Sequence, residues 1–332
     1  MADYSLKQTF VQFSRKILAW VKANCVNNLV SDATNLPLAA AQGKALQDQI
    51  SVLNSNILAN IPRKVPKDIT SYYSDGSLWK RLNGTGGYKL FEDLHVGDYI
   101  RMSRPISAKN PDTSQQATGS QYVTIASVDG LMNNGDSSIV NYHHLVMVPG
   151  QGFGGTQHFG RAAMNATATT AGGYKASVMN TTILGDVASA GSTASGATIN
   201  QQLYAEFGSH LKTTNELVSS STSETGYNRV GGNTGCSNNF EWINAQAILM
   251  SEIEVYGSIV WSSSGFDTGT ANHQFELFTN SESAINNCSA WYWLKDVCSS
   301  ISWCLCDKRG RAFFINAKSS AHCVRPRFVL GA

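Results

Sequence analysis

WYWLKDVCSSISWCLCDKRGRAFFINAKSSAHCVRPRFVLGA, from Trp291 to Ala332, holds three of the seven tryptophans and four of the seven cysteines of this 332-residue chain. Within it Phe313, Phe314 and Ile315 stand consecutively between Arg311 and Asn316. Successive side chains of a strand point to opposite faces, so no one face hides all three. Either both faces are buried or aromatic surface is on show. Tryptophan, phenylalanine, arginine and lysine mixed in this way make a recognition surface rather than a plain core. The rest of the chain reads as a device for presenting that surface.

Upstream, from about Lys64, the chain is β-rich. Short strand candidates lie at Tyr99 to Met102, Tyr122 to Ser127 and Leu145 to Val148, separated by Gly, Asn, Asp and Pro clusters. Ile183 to Thr198 is small and polar enough to be a loop. Leu203, Phe207, His210, Leu211 and Leu217 predict a helix over Asn200 to Leu217. Trp242 to Trp261 reads as a buried helix or a strand pair, closed by an SSSG turn. No period of about twenty to fifty residues repeats, so a solenoid or propeller is not supported.

The first sixty residues have a different period. Leu6, Phe10, Phe13, Ile17 and Trp20 form one wide aromatic stripe of a helix, suited to docking against a partner. After a break at Ser31 to Thr34, Pro37 opens a second helix in which Leu46, Ile50, Leu53 and Ile57 keep heptad spacing until Pro62. So short a coiled coil is not stable alone, so it closes an oligomer with larger contacts elsewhere. Ile and Leu alternating along the seam point to a dimer. The expected class is α+β: N-terminal helices with a short coiled coil, then a β-rich domain.

Composition narrows the partners. A hydrophobic share of 42% supports a buried core, while 14% charged residues is low against a usual share of about 25%. A net charge of +2 without a long Lys/Arg run gives no footprint for a nucleic-acid backbone. The apolar run Ile17 to Val21 is stopped by Lys22, so neither a signal segment nor a membrane span is expected. Seven cysteines without regular spacing read as free structural thiols.

Catalytic signatures are absent: there is no nucleophile-elbow serine, phosphate-binding GxxxxGK[ST], HExxH or dinucleotide fingerprint. The Gly-rich runs at Asn83 and Gly150 read as turns. His143 and His144 would face opposite sides of a strand, so with His158 they read as structural rather than metal-binding. Cys304 and Cys306 share a face, near Cys298, His322 and Cys323, yet match no common zinc spacing. Asp129 to Asp136 lacks the closing glutamate of a calcium loop and reads as an Asx-rich turn. Glu241, Glu252, Glu254 and Asp267 form no pair visible in the sequence. No cofactor, metal or catalytic residue is expected.

Two resemblances organise these readings. LPLAAAQGKALQDQI, Leu36 to Ile50, resembles a motif of bacteriophage tail-fibre stalks, which implies a homotrimer and is preferred to the dimer. FEDLHVGDYIRM (Phe91 to Met102), HHLVMVPG, MNATATTAGGYKASVMN (Met164 to Asn180), ILMSEIEVYGS (Ile248 to Ser258), YWLKDV (Tyr292 to Val297) and VRPRFVLG resemble, in order, one phage and gut-bacterial family. That family has a C-type-lectin-like fold and includes tail-tip receptor-binding proteins similar to the phage major tropism determinant. In some members a diversity-generating retroelement rewrites codons between the YWLRD and VRP segments.

The resemblance implies residues 1–62 for attachment and oligomerisation, 63–90 as connector, and 91–332 as a receptor-binding domain with a variable segment at 291–323. Trp291, Trp303, Asp307, Lys308, Arg309, Arg311, Phe313, Phe314, Asn316, Lys318, Ser320 and His322 would then be surface positions contacting a host cell-surface receptor. Tyr292, Trp293, Leu294, Gly310, Arg325 and Pro326 would be framework. The N-terminal helices would meet other tail proteins of the virion, with neither nucleic acid bound nor a membrane entered. Calcium-lectin sugar triplets are missing, so calcium-dependent sugar binding is not implied. The alternative is an enzyme on the same fold, a sulfatase-activating-like thiol oxidase or a polysaccharide depolymerase, using Cys304, Cys306 or a carboxylate pair.

Overall fold

The C-terminal strand is central to the larger sheet. In the computed structural model, which describes residues 15–17, 40–109, 117–132, 140–221, 239–262, 274–279, 291–319 and 322–332, helices and strands mix in an α+β chain. The helices are α1 (Ala40–Asn60), α2 (Thr70–Ser74), α3 (Ser77–Asn83), α4 (Gly173–Ala176), α5 (Ile199–Phe207), α6 (Glu252–Tyr256) and α7 (Glu276–Thr279). The strands are β1 (Tyr99–Arg101), β2 (Tyr122–Val128), β3 (His144–Pro149), β4 (Leu211–Lys212), β5 (Thr214–Ser221), β6 (Asn239–Ala245), β7 (Ala247–Leu249), β8 (Tyr292–Val297), β9 (Ser302–Cys306), β10 (Ala312–Asn316) and β11 (Pro326–Gly331).

The larger sheet has the order β1-β2-β3-β11-β4, with β7 also paired to β11. PRFVLG is a near-continuous apolar run, and every residue of it is buried, as a strand covered on both faces requires. Its register sets Phe328 opposite Met147 on one side and Ala247 on the other. A smaller sheet, β10-β9-β8, is formed between Tyr292 and Asn316, and β5 pairs with β6 as a separate antiparallel pair.

Contacts divide the chain between Ser55 and Asn56. In the first unit Leu46, Ile50 and Leu53 of α1 are exposed, as is Ile57 in the last turns, at 38% to 58%. Those last turns belong to the second unit. Ala59 is buried and its carbonyl accepts Val96 N at 2.8 Å. The Asn60 amide bonds both backbone groups of Val128, at 2.8 and 2.9 Å. The stripe expected at Leu6 to Trp20 lies outside the described residues except for 15–17, which are helical and exposed.

Residues 63–90 correct the expected connector, and the boundaries at 62 and 90 with it. Leu78 and Leu82, one helical turn apart on α3, are fully buried with Ile69 in the same core as β1 and β2. Ile69 N donates to Tyr99 O at 2.9 Å, extending the sheet margin. The helix expected over Asn200 to Leu217 is also shorter. A Thr198 and Gln201 capping box starts α5, and Gly208, at φ 56, ends it before β4 and β5.

A buried ion cluster ties the β5–β6 pair and α6 to β11. Arg327 donates through both terminal nitrogens to Glu216, at 2.9 and 2.7 Å, and through Nε to Glu254 at 2.7 Å. All three are at most 1% exposed. Burial works to raise the Glu216 carboxyl, but Arg327 outweighs it and holds the pKa down at about 2. Among the described residues no helix is long and apolar enough to cross a membrane.

Candidate receptor-contact surface

β10 is the outer strand of the small sheet. Phe313 pairs with Leu305, and Ile315 with Trp303. Arg311 O accepts Asp307 N, and Ala317 N donates to Ile301 O, so the odd-numbered backbone groups of this stretch face β9. The even-numbered groups turn to the other side, where among the described residues a row of rings lies along the strand. Trp261 meets Phe314 at 4.7 Å and 67°, Phe314 stacks on Phe313 at 5.5 Å, and Phe313 meets Trp291 at 5.5 Å and 61°. Trp291 then stacks on His322 at 5.3 Å and 16°. Among the described residues β10 has no strand on this side, and large aromatics line it.

The row is partly on show. Phe313 is 41% exposed, and Trp291, Trp261, Phe314, Ile315 and Asn316 are half-buried. Lys308, Arg309, Arg311 and Lys318 are exposed. Three consecutive large apolar residues in a strand are therefore neither all hidden nor all displayed.

The β9–β10 turn is built by Asp307, which the resemblance places at the surface and which is in fact buried. Its Oδ1 accepts Arg309 N at 2.7 Å and Arg311 N at 3.0 Å, and its Oδ2 accepts Arg311 Nε at 2.8 Å. Burial pushes its pKa up, but these N–H groups and the Arg311 guanidinium outweigh that and hold it below the ordinary carboxylate range. Gly310, at φ 77, supplies the left-handed corner. The turn thus holds Lys308 and Arg309 outward, and neither side chain has an ion-pair partner among the described residues.

Two further expected surface positions are corrected. Trp303 is fully buried, its ring against Tyr174 at 6.1 Å, because β9 is the middle strand and has a neighbour on each side. His322 is buried between Trp291 and Trp293, with Ser319 Oγ at 2.9 Å from Nε2. Burial, with the nearby charge of Arg161, pushes its pKa down to about 4, so it is a neutral ring at neutral pH. Ser320 lies outside the described residues. The framework expected at Tyr292, Trp293 and Leu294 is fully buried, and Arg325 donates to Gln157 at 2.6 Å below the Tyr292 ring.

The candidate chemistry elsewhere is occupied structurally. Cys298, Cys304, Cys306 and Cys323 are free and buried. Burial, then the Cys298 thiol, pushes the Cys304 pKa up; burial also raises Cys306 despite the Tyr256 and Tyr292 hydroxyls beside it. His144 Nε2 accepts Leu131 N at 3.1 Å, and His158 Nδ1 accepts Gly160 N at 2.9 Å. His143 bonds Asp129 at 2.8 Å, and Asp129 adopts a turn conformation at φ 56. Glu241 pairs with Lys175, and Asp267 lies outside the described residues. Among the described residues no group of three His, Cys, Asp or Glu is placed to hold a metal.

Sequence reasoning missed Trp261. It stands one strand edge away from the segment that suggested the site, and only the polar turn after it hinted at a surface position. Compared with family models, curated proteins and solved structures, the chain matches none.

Proposed function

We propose that this protein is a non-enzymatic tail-fibre-tip protein of a phage or prophage virion, made in the bacterial cytoplasm, that binds a host cell-surface receptor. The single observation that carries the reading is the half-exposed aromatic row on the β10 edge, flanked by Lys308, Arg309, Arg311 and Lys318. Large rings supply binding energy per side chain and exposed cations supply steering, the division seen at interfaces. The large unit takes the C-type-lectin-like fold that the sequence motifs suggest. The exposed heptad of α1, Leu46, Ile50, Leu53 and Ile57, bundles three copies as a short coiled coil, and the helices before it attach the trimer to other tail proteins. Three equivalent weak sites then hold one cell through multivalency. Complete burial of Cys304 and Cys306 weighs against the thiol-dependent alternative.

The test is adsorption of labelled full-length protein to a panel of bacterial cells, beside the Phe313→Ala and Lys308→Ala/Arg309→Ala variants. Losing a hot-spot ring costs about 1–2 kcal/mol, so F313A should adsorb roughly five- to thirty-fold more weakly on cells that take up the parent. Equal adsorption by parent and both variants would sink the assignment of this surface.

A further inference from the structure

Trp261 packs against β10 on the side away from β9. Its Nε1 donates to Ala312 O at 3.1 Å, on the side away from β9, and its ring packs against Phe314. Yet Trp261 belongs to no strand or helix. It lies in the short segment after α6, and the Glu252 carboxylate binds its backbone. Oε2 accepts Val260 N at 2.9 Å, Trp261 N at 2.9 Å, Ser262 N at 3.0 Å and Ser262 Oγ at 2.9 Å, and Oε1 accepts Trp261 N at 3.1 Å. Three successive backbone N–H groups converge on one buried carboxylate, an anion nest whose anion is the protein's own side chain.

Glu252 is in turn held by the framework. Its own N–H donates to Asp296 in β8. The Ser251 and Glu254 capping box fixes the first turn of α6, and Glu254 is bonded to Arg327 on the central strand. A chain of short polar contacts thus runs from β11 and β8 through Glu252 to Trp261 and on to β10.

We propose that Glu252 is the positioning residue of the contact row: it seats Trp261 against β10 so that Phe314 and Phe313 meet a partner in one preset arrangement. This rests on the receptor-binding reading. Preset side chains lose less freedom on binding, so the gain lies in affinity rather than in folding. Glu252, one of the carboxylates considered for acid–base work, is instead surrounded by donors.

The experiment follows indole N–H signals in full-length protein labelled with 15N-tryptophan, the Trp261 signal being the one lost in Trp261→Phe. In Glu252→Ala the Trp261 indole should exchange with solvent at least about ten-fold faster, while Trp293, whose Nε1 donates to Ala162 O at 2.8 Å, stays unmoved. Glu252→Gln keeps an acceptor and should lie between, and it carries the test if the alanine variant does not fold. Unchanged Trp261 exchange overturns the proposal, as does equal acceleration at Trp293, which would make Glu252 a general support. Cell adsorption is read in parallel. Trp261 freed with adsorption reduced about ten-fold supports both readings. Trp261 freed with adsorption intact overturns the affinity role of Glu252, and the separate Phe313→Ala result then says whether the surface itself binds.

Discussion

Acidification should loosen the contact row through one ring. His322 has its pKa pushed down to about 4 by burial, against about 6.5 in the unfolded chain. Because the folded value is the lower, the unfolded chain takes the proton first. The stability at stake is fully present above pH 6.5 and is lost as the pH falls through about 4. At ~1.36 kcal/mol per pKa unit the whole gap corresponds to about 3 kcal/mol, and about 2 kcal/mol of it is gone by pH 5. The group is nearly sealed from water, so solvent screening takes little from that figure.

Two other histidines are shifted, and their signs differ. The His144 pKa is lowered by burial and adds in the same direction, whereas the His143 pKa is raised by its bond to Asp129. The contribution of His143 is present at low pH and lost as pH rises through its raised value. A difference measurement removes both. His322→Phe keeps a ring against Trp291 and Trp293 but carries no proton. Urea unfolding of parent and variant at pH 7.5 and 5.0, at one protein concentration, should show the parent losing about 2 kcal/mol more than the variant. The same loss in both proteins would refute the assignment of a buried, neutral His322.

Trp303→Ala should destabilise the fold by about 3–5 kcal/mol in urea titration, the cost of emptying a fully buried indole site, although Trp303 stands among the expected contact residues. Glu216→Ala removes the bidentate carboxylate of the buried Arg327 and should cost about 3–5 kcal/mol by the same measurement. Leu53→Asp, at a position 58% exposed, should leave the melting of the large unit unchanged. Light scattering should show it shifting the full-length protein from a mass near three times 35.8 kDa toward the single chain.

What was legible in the sequence was local. β1, β2 and β3 appear within two residues of their expected limits, because each is a short apolar run closed by Gly, Pro or Asn. The heptad positions of α1 lie in one helix for a similar reason. The failures share a cause of another kind. Trp303 and Phe313 are both aromatic, both in strands and only ten residues apart, yet one is sealed and the other 41% exposed. The difference is that β9 is central and β10 is at the edge, and strand order is a property of the sheet that no local pattern encodes. Residues 63–90 were misjudged likewise: Leu78 and Leu82 show a helical face, but not which surface that face will meet.

If the segment is the contact surface proposed above, burial limits what it can contain. Between Trp291 and Cys323 the buried Asp307 fixes the turn that displays Lys308 and Arg309, and the buried His322 underlies the Trp291 ring. Trp303 fills the sheet against Tyr174. Substitution at these three changes the scaffold before it changes any contact, because each replaces a buried group whose partners stay behind. Lys308, Arg309, Phe313 and Lys318 touch solvent and can change at little cost to the fold, whereas Arg311, although exposed, pairs with the buried Asp307. On the proposed receptor-binding reading, recognition therefore resides in the edge strand and the turn of this segment, and Trp261, outside the segment, belongs to the surface that those residues complete.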